Sequence, residues 1–467
     1  MARAERSMRW IAGRGAMLVA AAMLAGCASV RDFVRPTVRV PEAFSTPSVG
    51  VVSDWWRSLD DPLLAELVQQ AQDSNPSVQA ALQRLRQARA LEQVAGARSY
   101  PTVNGNASGA RAQVAPASPV TPLTDTFKAG FDASWEVDLW GGIRQQQAAA
   151  RAGALSSAAD LADVRLALVS EVAVQYVNLR VAQGNADYTR QTLTSREETR
   201  DIVRQRVAIG LANGDDLTRA ESQFQLASAS LAQTLQAGDT ARLSLELLCG
   251  LQPGELLPRL TPTTELLSFP VPGGVLPPEL LQRRPDVRRD EQLAAQALAN
   301  VGVARANRLP KFVFSGAVGA SRVFPTTPWF LPFSIATSLS GVVFDAGALA
   351  AQIEQKDAQS AEAVWRYVAT VRNAVSEVEQ RLVAIQRGNE RVAALDRQVT
   401  ADRETLSIAR ERYRRGLTGF LDVADAERVL FATELALNQA RGTLAADTIS
   451  LNKALGGEWP SGAEQTP

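Results

Sequence analysis

The chain has 467 residues, and its 49 basic and 49 acidic side chains give a formal net charge of zero at pH 7. This balance provides no basic excess of the kind that nucleic-acid-binding domains carry. Histidine is absent, which excludes histidine-based catalysis and histidine metal sites. Gly-Gly pairs occur without the strand–loop–helix context of a phosphate-binding loop. The sequence therefore predicts no enzyme, no cofactor, no metal site and no nucleic acid partner.

The N-terminus has the features of a secretory signal. Four arginines within residues 3–14 precede an apolar run over residues 16–24, which is too short to span a membrane as a mature helix. The run ends in a Leu-Ala-Gly-Cys sequence at Cys27, which resembles the lipobox of bacterial lipoproteins. We expect residues 1–26 to be removed and Cys27 to be acylated. The alternative is an ordinary signal peptidase site with an incidental cysteine.

Downstream, the chain divides into two structural blocks. Residues 27–61 lack a clear period and predict an extended arm. The first block covers residues 62–251, and a Pro-rich linker over residues 252–278 separates it from the second block, residues 279–457. Residues 458–467 would form a tail. Cys249, the second of two cysteines, is expected to be a free, buried thiol.

Each block contains a predicted β-hairpin, over residues 101–139 and 310–345. Residues 127–139 and 333–340 alternate apolar with polar side chains, which is the period of a strand with one apolar face. Strands of about ten residues with this alternation are typical of transmembrane barrels, although amphipathic hairpins also lie on soluble cores. Four strands cannot close around an aqueous pore, and lipid does not tolerate an open sheet edge. Strands that span a membrane would therefore need several chains in one barrel.

Each β-hairpin precedes a predicted helical hairpin, over residues 143–250 and 347–455. In the second, apolar residues recur at spacings of four and three from Val364 to Ile385, the seven-residue repeat of a coiled-coil seam. Gly210 and Gly416 can take the left-handed conformation that ends a helix. Each block thus predicts a helix that runs outward for on the order of 100 Å, turns and returns.

The two blocks align with each other. Arg206–Leu211 matches Arg412–Leu417 at an offset of 206 residues, and Pro76 matches Pro285 at an offset of 209 residues. The sequence therefore predicts an internal two-fold repeat. A tandem helical solenoid is the alternative, but the hairpins in the connecting segments argue against it.

The lipobox at Cys27, the segments Asp54–Trp56, Asp61–Leu63 and Ala454–Trp459, and the duplicated helix–hairpin–rod unit together resemble the outer-membrane factors. More narrowly, they are similar to the NodT-type lipoproteins of RND efflux systems, which are relatives of TolC. The resemblance covers nearly the whole mature chain. It implies a mainly α protein with a small membrane β part. In that fold, a homotrimer forms one twelve-stranded β-barrel, four strands from each chain, and a long α-helical coiled-coil barrel continues it.

The resemblance implies the outer-membrane channel of a tripartite efflux pump that passively conducts small hydrophobic or amphipathic compounds. The implied partners are a periplasmic membrane-fusion adaptor protein, an inner-membrane RND-type pump and outer-membrane lipid. The chain would be anchored at Cys27 in the outer membrane of a Gram-negative bacterium and extend into the periplasm. Two alternatives are the channel of a type I protein secretion system and a non-channel structural lipoprotein that spans the periplasm. Outward-facing aromatic residues on the strands argue against the latter.

Candidate functional residues lie at the two helical turns. In a symmetric assembly Asp216, Asp422 and Asp425 would form rings, and carboxylate rings around a lumen favour cations. The alternative for Asp216 and Asp422 is stabilisation of a helix N-terminus. The resemblance places all three at a pore constriction at the periplasmic tip.

The resemblance also implies a network that holds the tip closed, formed here by Tyr413, Gly416 and Gly210. An arginine of that network is replaced in this chain by Thr418. Arg414 and Arg415 are the candidates to take its place.

Overall fold

The computed structural model describes residues 33–44, 56, 61–113, 123–260, 283–324 and 327–457. Its helices are α1 (Pro62–Ser74), α2 (Pro76–Ala97), α3 (Gly142–Ala208), α4 (Gly214–Leu248), α5 (Pro285–Asn307), α6 (Ala348–Arg414) and α7 (Phe420–Ala454). Its strands are β1 (Thr102–Gln113), β2 (Leu123–Val137), β3 (Lys311–Phe324) and β4 (Phe333–Ser340), and a 3₁₀ turn occupies Leu257–Arg259. The chain is mainly helical with a small sheet, as predicted. Cys27 and the tail 458–467 lie outside the described residues.

The long helices dominate the fold. α3 and α6 each have 67 residues, and α4 and α7 each have 35. At about 1.5 Å per residue, a 67-residue helix is roughly 100 Å long. The expected outward helix, turn and returning helix are therefore present in both halves of the chain.

The four strands form one antiparallel sheet in the order β1-β2-β3-β4. Each predicted hairpin is thus present, and β2 pairs with β3 to join them. Large apolar side chains on one face are exposed, among them Phe131 at 64% and Ile335 at 82%. On the opposite face Asn104 and Asn106 donate hydrogen bonds to the Asp132 carboxylate, at 3.1 and 2.7 Å. The alternation in the sequence therefore separates an apolar face from a polar one.

Two glycines allow β2 and β3 to approach closely. Gly130 and Gly319 are direct partners in the register. A Cβ atom added to Gly130 would lie 2.6 Å from the Val318 carbonyl oxygen, and one added to Gly319 would lie 2.6 Å from that of Ala129. Because these contacts are with backbone, only glycine fits at this point of the sheet.

The described chain forms two compact units. Of the described residues, the first contains 33–37, 84–113, 123–157, 289–324 and 327–368, and it includes the sheet. Within it, Arg35 of the arm forms an ion pair with Glu291 at 2.7 Å. Of the described residues, the second contains 38–44, 56, 61–83, 158–260, 283–288 and 369–457, and it includes both helical turns.

A buried polar group fixes α1 within the second unit. The Asp61 carboxylate accepts the backbone N–H groups of Leu63 and Leu64 and so caps the helix. It also accepts a 2.5 Å hydrogen bond from the Tyr176 hydroxyl, which in turn accepts hydrogen bonds from Arg180. Burial, helped by the hydrogen bond to Asp61, raises the pKa of Tyr176.

The cysteine that was predicted to be buried directly follows α4. Cys249 is a free thiol with 0% exposure, and burial raises its pKa to about 12.

Among the described helices, none combines the length and the apolar character that a membrane span needs.

Candidate functional site at the helical turns

Both long helices end in the same backbone motif. Gly210 and Gly416 have φ angles of +75° and +73°, which favour glycine. The N–H groups of Gly210 and Leu211 donate to the carbonyls of Val207 and Arg206, at 3.0 and 2.8 Å. The equivalent bonds after α6 are both 2.9 Å. This is the Schellman arrangement, in which two C-terminal carbonyls of the helix are satisfied by the turn that stops it.

The three candidate aspartates lie just after these turns. Asp216 is in the first turn of α4 and Asp422 in the first turn of α7, where a carboxylate interacts favourably with the helix dipole. Asp422 and Asp425 are exposed, whereas Asp216 is half-buried. Asp425 pairs with Arg428 of its own helix at 2.6 Å.

Tyr413 lies in a small apolar core beneath the turns, with buried residues of both hairpins. Its ring makes an edge contact with Phe420, with centroids 6.4 Å apart. The other buried members of the core are Val203, Ala220, Leu406 and Val423. Burial raises the pKa of the Tyr413 phenol, with the charge of Asp216 adding to the rise and that of Arg206 opposing it. The Tyr413 hydroxyl has no hydrogen-bond partner among the described residues.

Arg206 connects the end of α3 to the end of α6. Its Nη1 donates to the Tyr413 carbonyl oxygen at 2.8 Å. Its guanidinium carbon lies 4.7 Å from the centroid of the Tyr413 ring, within cation–π range. The same side chain reaches the turn, because its Nη2 lies 4.0 Å from the point that a Cβ atom added to Gly416 would occupy.

The two candidate arginines are placed differently. Arg415 pairs with Glu411 of its own helix at 2.8 Å, and Arg414 approaches the same carboxylate at 3.8 Å. The Thr418 hydroxyl is buried without a hydrogen-bond partner in the described part of the chain. The cation that contacts Tyr413 is Arg206, which was not among the residues predicted for the closed-tip network. The repeat alignment contained the signal: if the two long helices end side by side, Arg206 lies level with Arg412 and next to Tyr413.

A buried polar cluster surrounds Glu427, which lies further along α7 from the turn than Phe420 and Val423 do. The Glu427 carboxylate accepts hydrogen bonds from the hydroxyls of Ser195 and Thr199 at 3.2 and 3.0 Å, and from Arg410 at 2.8 Å. Arg410 also donates to the Ser195 hydroxyl. Glu427 is only 7% exposed, whereas Arg410 is 31% exposed, so α3, α6 and α7 meet at a buried carboxylate that pairs with a partly exposed arginine.

Arg196 adds a second cation to this cluster. It is buried, donates to the Gln223 carbonyl at 2.8 Å, and leaves its Nε without an acceptor among the described residues. Burial lowers the pKa of Arg196, and the charge of Glu427 opposes that effect. The carboxylate of Glu427 thus offsets the buried positive charge of Arg196 on α3 and the partly exposed charge of Arg410 on α6.

None of the described residues forms a cluster of three or more carboxylate, thiol or imidazole groups that could hold a metal ion. The functional groups at the turns are therefore carboxylates, one tyrosine and the arginine that contacts this tyrosine.

Comparison with known proteins assigns this architecture to a family. The family model described as "Outer membrane efflux protein" matches residues 67–251 and 276–457. The chain belongs to the outer membrane efflux protein family. Nodulation protein T of Rhizobium leguminosarum bv. viciae is 30% identical over 448 residues, which cover 93% of this chain and 91% of the relative.

Two further members of the family agree in length and fold. The cation efflux system protein CusC of Escherichia coli O6:H1 is 29% identical, with 93% of this chain and 96% of CusC covered. The solved structure of the outer-membrane channel OprN superposes with a TM-score of 0.82 at 29% identity, covering 91% of this chain and 99% of OprN. The family to which the chain belongs is thus one of efflux channels rather than enzymes.

Proposed function

We propose that this chain is the outer-membrane channel of a tripartite efflux pump and works as a homotrimer. Each chain contributes four strands to a twelve-stranded barrel and its helical hairpins to a coiled-coil tunnel in the periplasm. The conduit is passive, and the cargo is a small hydrophobic or amphipathic compound delivered by a partner pump. The observation that carries this proposal is a sheet whose apolar face is exposed and whose two outer strands, β1 and β4, each have an open edge among the described residues.

A lone sheet of this kind is unfavourable both in water and in lipid. In water it exposes large apolar side chains, and in lipid its open edges leave backbone N–H and C=O groups unsatisfied. Pairing β1 of one copy with β4 of the next removes the edges and leaves the apolar face toward lipid. The polar face, with Asn104, Asn106 and Asp132, then lines the lumen.

The internal repeat supports a tunnel built from equivalent elements. α3 and α6 start and end 206 residues apart, as do α4 and α7, and β1 and β3 start 209 residues apart. These are the two offsets between the blocks 62–251 and 279–457. Three copies of a duplicated hairpin would supply a ring of quasi-equivalent rods.

At the periplasmic tip, Asp216, Asp422 and Asp425 form the constriction, and Tyr413, Gly416 and Gly210 belong to the network that holds it closed. Arg206 is the cation of that network. Asp422 and Asp425 are three residues apart near the start of α7, so their carboxylates share one side of the helix. Repeated by the symmetry of the assembly, they would make a cation-selective ring.

The remaining parts of the proposal concern partners and location. The turns meet a periplasmic membrane-fusion adaptor protein, which connects the tunnel to an inner-membrane RND-type pump. Residues 1–26 are the signal peptide, and Cys27 anchors the mature chain in the outer membrane of a Gram-negative bacterium. Family members such as CusC carry efflux in their names, which supports an efflux role here.

Planar-bilayer recording of the purified protein tests the channel and its constriction together. We expect discrete conductance with cation preference, and the pair of substitutions Asp422→Ala and Asp425→Ala should weaken that preference. Glu390→Ala with Glu404→Ala removes two carboxylates from α6 away from the turns and serves as the matched control. No conductance would overturn the channel, whereas unchanged selectivity would remove these aspartates from the constriction.

A further inference from the structure

We propose that Arg322, near the end of β3, binds a phosphate group of an anionic lipid headgroup in the outer leaflet. The proposal rests on the function proposed above, because it takes the apolar face of the sheet to be the lipid-facing one. It goes further by assigning a specific lipid contact to one residue of that face.

Arg322 lies among the apolar side chains of the exposed face. β3 is an interior strand of the sheet, and Arg322 is the direct partner of Phe127. Its guanidinium carbon lies 5.6 Å from the centroid of the Phe324 ring, two residues along the strand. Phe127 and Phe324 are both exposed. Since alternate residues of a strand share a face, Arg322 points the same way as Val318 and Phe314.

The cation has no acceptor within the described residues. Its Nε is buried without a hydrogen-bond partner, and its guanidinium donates no hydrogen bond to any described residue. Arg111, on the same face and near the same end of the sheet, is different. It pairs with Asp125 through two hydrogen bonds of 2.6 and 2.8 Å. Among the described residues of this face, the carboxylate near this end of the sheet, Asp125, is therefore already paired with Arg111, and none of them supplies a counter-charge to Arg322.

The position of Arg322 along β3 indicates which kind of ligand it contacts. Arg322 lies toward the end of β3 that leads into the β3–β4 connection, and the opposite end follows helix α5. The connection exposes Trp329, Phe330 and Leu331, and aromatic side chains of this kind mark the membrane–water interface of barrels. If the helices are periplasmic, this is the outer interface, where headgroup phosphates lie. A planar guanidinium can donate two parallel hydrogen bonds to a phosphate.

The test measures lipid binding by the detergent-purified full chain. The probe is fluorescent lipid A, which carries two phosphates, and its dephosphorylated form is the comparison. Lys128→Gln is the matched control, because Lys128 is the partner of Ser321 on the opposite face of the sheet at the same depth. We expect Arg322→Gln to weaken lipid A binding about tenfold, as for loss of a charge-assisted hydrogen bond, and Lys128→Gln to leave it unchanged. Binding of dephosphorylated lipid A should be equal in all three proteins.

Three results would overturn the proposal: unchanged binding by Arg322→Gln, an equal loss in Lys128→Gln, or displacement of lipid A by inorganic phosphate at equal affinity. The last would indicate a free-phosphate site. If Arg322→Gln does not assemble, Arg322→Lys keeps the charge without the planar fork and should weaken binding about threefold; unchanged binding would again contradict the site. Bilayer conductance of the same wild-type preparation separates failure of this site from failure of the channel.

Discussion

Arg206 makes two contacts with Tyr413, and both contacts join the end of α3 to the end of α6. Its Nη1 donates to the Tyr413 carbonyl at 2.8 Å, and its guanidinium carbon lies 4.7 Å from the ring centroid. The relationship joins the two helical hairpins, because Arg206 belongs to the first and Tyr413 to the second. Any movement that separates these helix ends must break both contacts.

Loss of this contact should favour the open tip. In Arg206→Gln we expect the closed–open equilibrium to shift toward open by on the order of tenfold, since a hydrogen bond from a charged donor contributes roughly 1.5–3 kcal/mol. Single-channel recording would show this as a higher open probability. Arg204→Gln removes an exposed cation that pairs with Asp201, three residues before it on the same helix, and it should behave as wild type.

A second control distinguishes the contribution of the Tyr413 ring to gating from that of the Tyr413 hydroxyl. The Tyr413 hydroxyl has no partner among the described residues, so Tyr413→Phe should leave the open probability unchanged. If Arg206→Gln gated as wild type, or if Tyr413→Phe opened the tip as strongly, the Arg206 contact would not be the latch.

The sequence determined the architecture because period and duplication are visible without a structure. The strand alternation around Phe131 and the coiled-coil spacing from Val364 predicted the elements, and Gly210 and Gly416 predicted where the long helices end. Contacts between the two halves could not be predicted in the same way. The pairing of Arg206 with Tyr413 depends on which helix ends lie side by side. The sequence around each residue does not indicate its contact with the other.

The buried carboxylate of Glu427 should be essential for stability. Its removal leaves the partly exposed Arg410 and the buried Arg196 without their counter-charge. Breaking a fully buried pair costs about 3–5 kcal/mol, and the partial exposure of Arg410 places the expected loss at or below the lower end of that range. Glu427→Ala should therefore lower the urea midpoint and the apparent melting temperature of the purified protein clearly.

Glu221 on α4 supplies the matched control for this substitution. Glu221 is the equivalent residue at the offset of 206, but its side chain is 44% exposed and its nearest arginine contact is 3.9 Å. Glu221→Ala should cost less than about 1 kcal/mol. Equal effects of the two substitutions would contradict the buried-cluster interpretation.

The middle of the exposed apolar face, away from the end of the sheet where Arg111 and Arg322 lie, should not tolerate a charge if it contacts lipid. Phe131→Arg places a cation on that face and should weaken insertion by about 2–4 kcal/mol per chain near the bilayer centre. Ser134→Arg places the same charge on the opposite face of β2 and should insert normally. Folding into lipid vesicles, followed by protease protection, measures both, and equal insertion of the two variants would mean that Phe131 does not face lipid.

Cys249 should be unreactive in the folded protein. With a pKa of about 12, only about one thiol in ten thousand is ionised at pH 8, whereas an ordinary thiol with a pKa of about 8.5 is partly ionised there. A chromogenic thiol reagent at pH 8 should therefore count no thiol in the native protein and one after denaturation, because acylation occupies Cys27.

A Cys249→Ala variant identifies the thiol that is counted. It should give no signal in either state. A fast native signal that disappears in this variant would show that Cys249 is accessible, and a signal that persists in it would show that Cys27 is not acylated.

The most direct test of a channel completed by several copies is the mass of the native assembly. Native mass spectrometry of the detergent-purified protein should give three chains per complex, because only added copies can pair the free edges of β1 and β4. A particle of one chain, stable in the absence of detergent, would contradict the account.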